Sequence, residues 1–369
     1  MLELPDNDAL SIEQEDINDI PLGKSAIVIG PPGTGKTVMA IFRARALHKS
    51  GHDTLLLMYG KLLSTYTSAA VKQSDLGGAV STYHSWFPRM WKAYYSEEPP
   101  KLDTFTFDWD KCLAKLMKDP IPKKELHILI DEGQDMPKDF YLVVNQVAAS
   151  LTVFADENQR ITDQQSTIDD IKASTGISDV RELTRNYRNT LPIAKFAATF
   201  YTGLRTGIPN LPPSSARGEK PALYQHDNMF AELASVVTYE RNYPDHTIGV
   251  IVPKRELIKK MYNRLKDKTK NPVQVYMSQK PGETPLPKID FGAPGVKIVT
   301  HASAKGLEFH AVFLPQINTY WGDPASDDVR MKMYVLSSRA RRVLNLSYTG
   351  DGTPTHVDAL PLALMKDRR

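Results

Sequence analysis

Eight consecutive residues, GPPGTGKT at positions 30–37, have the types and spacing of a phosphate-binding loop. They follow an apolar run and precede a helical pattern, and the glycines let backbone N–H groups turn inward around phosphate oxygens. Lys36 would reach the β- and γ-phosphates, and the Thr37 hydroxyl would bind Mg²⁺. The predicted nucleotide contacts in the loop are Gly30, Pro31, Gly33, Thr34, Gly35, Lys36 and Thr37.

A second candidate group is an acidic pair at the end of an apolar run. The segment LHILIDEGQD, residues 126–135, has the pattern of a buried strand that ends in Asp131 and Glu132. In a chain with a phosphate-binding loop, the first acid holds Mg²⁺, and we predict that Asp131 does so together with Thr37. Glu132 is placed to activate an attacking water as a general base. The adjacent pair favours hydrolysis of a nucleotide over binding alone.

Two arginine-containing segments follow in the second half of the chain, LTRNYRNT at 183–190 and YVLSSRAR at 334–341. Hydrolysis of a γ-phosphate is accelerated when an arginine from a second lobe stabilises the charge of the transition state and senses lobe closure. For a single arginine, a surface ion pair is the alternative explanation.

The motifs lie in a chain of 369 residues, of which 41% are hydrophobic and 24% charged, as in ordinary globular proteins. The length favours two domains, and no apolar stretch reaches the ~18 residues of a membrane span, which excludes an integral membrane protein. The first 20 residues hold seven acids and no base. This is unlike a secretory or transit peptide, so we expect a cytoplasmic location. The single cysteine, Cys112, excludes a disulfide framework and a multi-cysteine metal site.

Charge is divided unevenly along the chain. Residues 1–182 hold 19 Lys and Arg against 27 Asp and Glu, whereas residues 183–369 hold 27 against 16. A basic second half suggests a polyanionic partner, although surface charge that simply differs between domains explains the same numbers.

Short aliphatic runs alternate with helical patterns, as expected for parallel sheets buried on both faces. The predicted strands are 25–30, 54–59, 126–131, 151–156, 247–252, 273–277, 296–300, 311–315 and 343–348. The predicted helices include 36–49, 137–149, 190–203, 229–241 and 255–267. This alternation predicts an α/β fold with two domains, 1–182 and 183–369.

Seven motifs follow one another along nearly the whole chain: GPPGTGKT, VSTYHSWF (80–87), DEGQD, FADENQRI (154–161), LTRNYRNT, VTHASAKGLEF (299–309) and YVLSSRARR (334–342). In this order they resemble the UvrD/Rep family of superfamily 1 helicases. The resemblance implies two RecA-like P-loop NTPase domains, with ATP in the cleft between them and single-stranded nucleic acid across their top.

The resemblance also implies nucleotide contacts outside the loop. Gln14 resembles the glutamine that recognises adenine, Tyr187 the aromatic that stacks on the base, and Glu308 the residue that contacts the ribose. Three more side chains resemble residues that act at the γ-phosphate, and with Lys36 and Glu132 they complete the predicted catalytic set: Gln159, Arg188 and Arg339.

The family lines its single-strand channel at positions that correspond here to Tyr59, Thr82, Tyr83, His84, Thr300 and His301. The chain departs from the family after FADENQRI, where Thr162 and Gln164 replace a tyrosine and a base-stacking tryptophan. Only 94 residues separate Lys36 from the acidic pair, so the large subdomains that relatives insert there are reduced to at most residues 86–125.

Two segments have alternative interpretations. Residues 86–109, within the predicted insertion, hold eight aromatics, which we interpret as the core of a small element. Base stacking and partner docking are the alternatives. The run KRELIKKMYNRLKDKTK, residues 254–270, predicts a helix with one apolar and one basic face. We interpret the basic face as solvated, and phosphate binding is the alternative.

Together these patterns predict an ATP- and Mg²⁺-dependent helicase or translocase on single-stranded nucleic acid. By resemblance the substrate is DNA, with RNA as an alternative, and the direction is 3′ to 5′. In the rival interpretation, the chain is an ATP-switched translocase subunit that does not unwind alone and recruits or gates a nuclease or another effector. A P-loop kinase or small GTPase leaves the later motifs unexplained.

Overall fold

The computed structural model describes Leu4, residues 10–71, Leu76, and residues 79–104, 106–122, 125–156, 166–203, 210–277, 285–320 and 322–369. The chain divides into two compact units between Thr184 and Arg185.

In the first unit, the described residues form a sheet of six parallel strands. The strands are β1 (Ala26–Ile29), β2 (Asp53–Met58), β3 (Val80–Thr82), β4 (Leu126–Asp131), β5 (Ser150–Ala155) and β6 (Val180–Glu182). Their order across the sheet is β3-β2-β4-β5-β1-β6. The aliphatic side chains of β1, β2, β4 and β5 are buried, as expected when helices cover both faces of a parallel sheet.

The helices of this unit in the described part are α1 (Ile12–Asn18), α2 (Lys36–Lys49), α3 (Lys61–Val71), α4 (Tyr83–Tyr95), α5 (Trp109–Lys118), α6 (Lys138–Val147) and α7 (Ile168–Thr175). Because the strands are parallel, their carboxyl ends meet at one edge of the sheet. The phosphate-binding loop, Tyr59, Tyr83, Asp131 and Asp156 therefore lie along the same edge, each directly after or at the end of a strand.

A buried arginine fixes α2 to its surroundings. The guanidinium of Arg43 donates to the carbonyls of Ile20 and Lys24 at 2.7 and 2.9 Å and to Thr152 Oγ1 at 2.8 Å. Burial lowers the pKa of Arg43 to about 10, so it remains charged at neutral pH. These bonds connect the chain before β1 and the strand β5 to the helix that follows the phosphate-binding loop.

The aromatic segment after residue 86 belongs to the core. Trp86, Phe87, Trp91 and Phe107 are buried together with Cys112 and pack in the same cluster as the sheet. Burial raises the pKa of the Cys112 thiol to about 12, consistent with a packing role. The aromatics are therefore structural, as interpreted, but they extend the core of the sheet and do not form a separate core of a small element. Phe105 lies outside the described residues.

The second unit contains another parallel sheet, with the order β13-β7-β12-β11-β8-β10-β9 among the described strands. Its strands are β7 (Ala222–His226), β8 (Thr247–Val252), β9 (Gln274–Val275), β10 (Gly295–Thr300), β11 (Phe309–Leu314), β12 (Ala340–Thr349) and β13 (Lys366–Asp367). Its helices are α8 (Leu191–Ala198), α9 (Met229–Asn242), α10 (Arg255–Leu265), α11 (Asp327–Ser337) and α12 (Thr355–Asp358). The predicted fold class is confirmed as two α/β domains, each built on a parallel sheet flanked by helices.

Across the described ranges, no helix combines the length and the apolar composition that crossing a membrane requires.

Candidate active site

The phosphate-binding loop leaves β1 through glycines that no other residue replaces easily. Gly33 and Gly35 have φ angles of 89° and 94°, in the left-handed region that favours glycine. A Cβ on Gly30 would lie 2.5 Å from the carbonyl oxygen of Leu183, so the close approach of the loop to that segment also requires glycine. Thr34 Oγ1 donates to the Pro31 carbonyl at 2.9 Å and closes the turn.

Lys36 begins α2 and folds back across the loop. Its Nζ donates to the carbonyls of Gly30 and Pro31 at 2.6 and 3.1 Å and lies 3.7 Å from the Asp156 carboxylate. The side chain is almost fully buried. The ammonium group is therefore held against the loop by neutral carbonyls, which phosphate oxygens can replace with a stronger, charge-assisted interaction.

The two predicted metal ligands are in contact. Thr37 Oγ1 donates to Asp131 Oδ2 at 2.8 Å, which connects the first turn of α2 to the end of β4. Burial and the neighbouring Glu132 raise the pKa of Asp131, against the opposite effects of Thr37 and Lys36. A divalent cation beside this carboxylate would compensate its buried charge. One carboxylate and one hydroxyl fit Mg²⁺, which takes few protein ligands and completes its shell with phosphate oxygens and water.

The described part of the chain contains no cluster of three or more His, Cys, Asp or Glu side chains that could hold a metal by themselves.

Glu132 adopts a strained backbone conformation, with a φ of 53° that is uncommon for a residue with a side chain. Gln134, fully buried, donates from Nε2 to Glu132 Oε2 at 2.6 Å, and its Oε1 accepts the backbone N–H of Asp156 at 2.8 Å. A single amide thus fixes the predicted general base relative to the end of β5. Gln134 was not among the residues predicted from the sequence; its position two residues after the acid was the available signal.

Gln14 lies against the loop. Its Nε2 points to the Thr34 carbonyl at 3.5 Å, and a Cβ on Gly35 would lie 2.6 Å from that nitrogen. The Oε1 atom accepts the backbone N–H of Ser11 at 3.1 Å, as part of a capping box at the start of α1. In this structure the amide supports the loop and the helix; adenine recognition by Gln14 stays a prediction.

In the second unit, the predicted ribose contact and a predicted arginine finger are partners. Arg188 Nη2 lies 2.6 Å from Glu308 Oε1. Burial raises the pKa of Glu308, but the surrounding arginines, Arg188 first, outweigh burial and bring the pKa below its ordinary value. The Nε and Nη1 atoms of Arg188 are buried and find no hydrogen-bond partner among the described residues. The guanidinium therefore keeps donors available for an anion.

Arg339 is buried within the second unit. Its Nε donates to the Val335 carbonyl at 2.8 Å, and its Nη2 donates to Ser338 Oγ at 3.2 Å. Its exposed fraction is 1%. A role as a second arginine finger stays a prediction, because reaching a phosphate requires this side chain to leave those contacts.

Two buried asparagines connect the arginine segments. Asn186 Oδ1 accepts the backbone N–H groups of Arg188 and Asn189 at 2.9 and 3.2 Å, and its Nδ2 donates to Asn189 Oδ1 at 2.8 Å. Asn189 Nδ2 donates to the carbonyls of Ser338 and Ala340 at 3.1 and 2.6 Å. The residues on both sides of Arg339 are thus joined to the segment that carries Arg188. Sequence reasoning did not identify this link.

Among the aromatic residues predicted to contact nucleotide or nucleic acid, Tyr187 and Tyr59 are accessible, whereas Tyr83 is buried. Tyr187 is 43% exposed, as base stacking requires. Tyr59 is 42% exposed and its ring stacks on Tyr83 at a centroid distance of 5.4 Å, while Tyr83 lies 3.8 Å from the His84 ring. Tyr83 itself is buried against Phe140, and burial raises its pKa.

The remaining predicted contacts have local structural roles. Thr82 accepts the Ser85 N–H at 3.3 Å and caps α4. Thr300 ends β10, and its Oγ1 lies 3.1 Å from Ser303 Oγ. His301 follows it, and burial lowers the pKa of the imidazole. Gln159, Thr162 and Gln164 lie outside the described residues.

Comparison with known proteins adds one family match. Residues 14–164 match the AAA domain family. The matched range contains the loop, both acids and the Tyr59–Tyr83–His84 cluster, so the first unit is similar to nucleotide-binding domains of that kind. No curated protein matches the sequence.

Among solved structures, the C-terminal domain of a possible DNA helicase from Lactobacillus plantarum WCFS1 is 21% identical, with a TM-score of 0.35, over 50% of this chain and 99% of that one. Arterivirus nonstructural protein 10, a helicase, is 14% identical with a TM-score of 0.43 over 95% of this chain. The structure of its complex with DNA has 13% sequence identity and a TM-score of 0.41 over 91% of this chain. This chain covers 64% and 62% of those two arterivirus chains, less than two thirds of their length.

Proposed function

We propose that the chain is an ATP-dependent motor of superfamily 1, similar to the UvrD/Rep family, that acts on single-stranded nucleic acid. The observation that carries the proposal is the 2.8 Å hydrogen bond between Thr37 and Asp131. It brings the loop that would bind phosphate next to the strand end that carries the acids, with Glu132 as the adjacent residue.

In the proposed reaction, Lys36 exchanges the carbonyls of Gly30 and Pro31 for β- and γ-phosphate oxygens of ATP. Thr37 and Asp131 would hold Mg²⁺, which would supply positive charge to neutralise the phosphates. Glu132 takes a proton from the water that attacks the γ-phosphorus, and ADP leaves with the electrons of the broken P–O bond. Gln134 holds the Glu132 carboxylate in place during this step.

Arginines of the second unit would stabilise the negative charge that develops on the γ-phosphate in the transition state. Arg188 has unused donors beside its ion pair with Glu308, and we propose it as the first of the two predicted arginine fingers. Arg339 would have to rearrange. The assignment requires that ATP binding bring these side chains to the γ-phosphate, and it couples hydrolysis to movement of the units.

Nucleic acid would contact the strand-end edge of the first unit, where Tyr59 presents an exposed ring. Aromatic stacking is sequence-tolerant, because every base has a flat face, and it suits a motor that moves along a strand. We propose DNA as the substrate and 3′ to 5′ as the direction, from the resemblance of the motifs.

The test is the steady-state ATPase rate with and without short single-stranded DNA or RNA at low salt, with Lys36→Ala as the blank. We expect a rate above the blank and a strong stimulation by DNA. Turnover equal to the blank contradicts the hydrolase assignment, and turnover without stimulation by either polymer contradicts the motor. Strand displacement on 3′- and 5′-tailed duplexes then determines direction.

A further inference from the structure

Positive charge in the second unit is concentrated on one helix and the turn after it. Residues 254–270 hold eight Lys and Arg against two acids, Glu256 and Asp267. The whole span 183–369 has a net charge of +11, from 27 bases and 16 acids, so this short run supplies more than half of it. The run lies outside the seven motifs, so none of their proposed roles explains its charge.

Packing fixes which face of α10 meets the solvent. Ile258, Met261 and Leu265 are fully buried against the sheet and α9. The helix therefore cannot turn its charged face inward. The basic side chains of the run are all exposed: Lys254, Arg255, Lys259, Lys260, Arg264, Lys266, Lys268 and Lys270.

Four of these basic side chains have no counterion in the part of the chain that the structure describes. Among the described residues, no carboxylate forms an ion pair with Lys259, Lys260, Arg264 or Lys266. Bases on a solvated helix are commonly interleaved with acids that pair with them. Here repulsion between the bases remains, and an external polyanion would relieve it.

An exposed aromatic extends the same surface. The guanidinium carbon of Arg264 lies 3.5 Å from the ring centroid of Phe230, which is 44% exposed. A flat cation stacked on a ring is a platform that suits a nucleobase as well as a phosphate. At the other end, Arg241 Nη2 donates to the Lys268 carbonyl, which adds one more base to the surface.

We propose that the exposed bases of 254–270 and Phe230, here called the α10 surface, bind the phosphate backbone of nucleic acid as a second contact outside the motif residues. The inference rests on the proposed function, because it assumes a nucleic-acid substrate. The eleven residues of α10 span ~16 Å, about the length of five nucleotide steps. Several Lys and Arg side chains of the helix can therefore contact successive phosphates. Insertion into a lipid surface is disfavoured, because it needs an exposed apolar face and that of α10 is buried.

The test compares two fourfold variants of the full chain. In the first, Lys259, Lys260, Arg264 and Lys266 are replaced by Gln. In the second, the matched control, the same charge is removed from exposed residues elsewhere in the second unit: Lys195, Arg217, Lys220 and Arg368. Binding of a labelled single strand and of a duplex, each about 20 nucleotides long, is measured from roughly 50 to 300 mM NaCl.

We expect the first variant to reduce the slope of log affinity against log salt by about 2 to 3, at about 0.7 for each lost contact to a single strand. The control variant should change the slope by less than about 1. Phe230→Ala should weaken single-strand binding at least about fivefold and duplex binding less, because stacking needs unpaired bases.

Equal slopes for wild type and the first variant overturn the inference, and so does an equal reduction in both fourfold variants. Basal ATPase activity should be the same in all of them, because none touches the loop or the acids. A wild-type protein that hydrolyses ATP but binds neither polymer would instead contradict the proposed motor, so the two failures are distinguishable. Loss of binding to an acidic peptide, with nucleic-acid binding unchanged, would identify a protein partner and also overturn the inference.

Discussion

The two units carry their candidate chemistry in different ways. In the first unit, the four candidate residues come from two short motifs, one after β1 and one at the end of β4, and a direct hydrogen bond between Thr37 and Asp131 joins the two motifs. These residues are Lys36, Thr37, Asp131 and Glu132. In the second unit, Arg188, Glu308 and Arg339 come from three distant segments, and buried asparagines hold two of those segments together. The contact within the first site can therefore be expected from sequence, whereas the pairing of Arg188 with Glu308 and the asparagine links become visible only after folding.

The two units also differ in how the charge of their candidate residues is compensated. Asp131 is a buried carboxylate whose charge burial disfavours, so a bound cation would complete the first site. Arg188 already has Glu308 as a counterion and retains further donors. The first unit would bind the substrate, and the second would respond to it.

Arg188→Ala should lower the ATPase kcat by about 10³-fold and leave ATP binding nearly unchanged, because an arginine finger acts mainly on the transition state. The measurement is kcat by a phosphate-release assay, with the Kd of ATP obtained by fluorescence. Arg342→Ala, an exposed arginine on the same strand as Ala340, is the control. An unchanged kcat in Arg188→Ala would mean that Arg188 plays no part in the chemistry.

Gln134→Met should lower kcat by roughly 10- to 100-fold with little change in KM, because it removes the donor that orients Glu132 while keeping a similar volume. It also leaves the Asp156 N–H without its acceptor, at a cost of about 1–3 kcal/mol in the free energy of unfolding. Kinetics and thermal unfolding on one preparation separate the two effects. A kcat equal to that of wild type would show that Gln134 is structural only.

Asn189→Ala should destabilise the second unit by about 1–3 kcal/mol, since it leaves two buried carbonyls without donors. We also expect a decrease in kcat of about tenfold, because both arginine segments lose their link. Asn271→Ala removes comparable bonds to Glu240 and Pro244 in the same unit. If both variants lower kcat equally, the effect of Asn189 is general destabilisation.

Lys297 is a buried lysine without a place in the proposed chemistry, in contrast to Lys36. Burial lowers the pKa of Lys297 to about 8, whereas the unfolded chain keeps the ordinary value near 10.5. Between these values the unfolded state binds more protons, so stability should rise with pH from about 8 to 10.5, by at most about 3 kcal/mol.

Lys297→Met should flatten that rise and leave the ATPase unchanged. Denaturant unfolding at several pH values measures how the free energy of unfolding depends on pH in the wild type and the variant. An unaltered pH dependence in the variant would exclude Lys297 as its source.

The sequence predicted the elements that carry strong local signals. The helix 36–49 and the strand 247–252 have the predicted bounds, because a glycine-rich loop and an uninterrupted aliphatic run define their ends. The strands β3, β6, β7 and β13 were missed, because they are short or carry polar side chains at or next to the edge of a sheet.

The contacts of the candidate site also differ in how far the sequence predicts them. The proximity of Thr37 and Asp131 was expected, because both lie at carboxyl ends or loops of one parallel sheet. The pairing of Arg188 with Glu308 and the bond from Asn189 to residues around Arg339 join positions more than 100 residues apart. Such contacts depend on the register of packed elements, which single residue types do not encode.

The central claim is that the first unit hydrolyses ATP through Glu132. The most direct measurement is ATP binding and turnover of wild type, Glu132→Gln and the control Asp139→Asn under the same conditions. The account predicts that Glu132→Gln binds ATP like wild type and turns over about 10²- to 10⁴-fold more slowly, while Asp139→Asn behaves like wild type. Wild-type turnover by Glu132→Gln would contradict it.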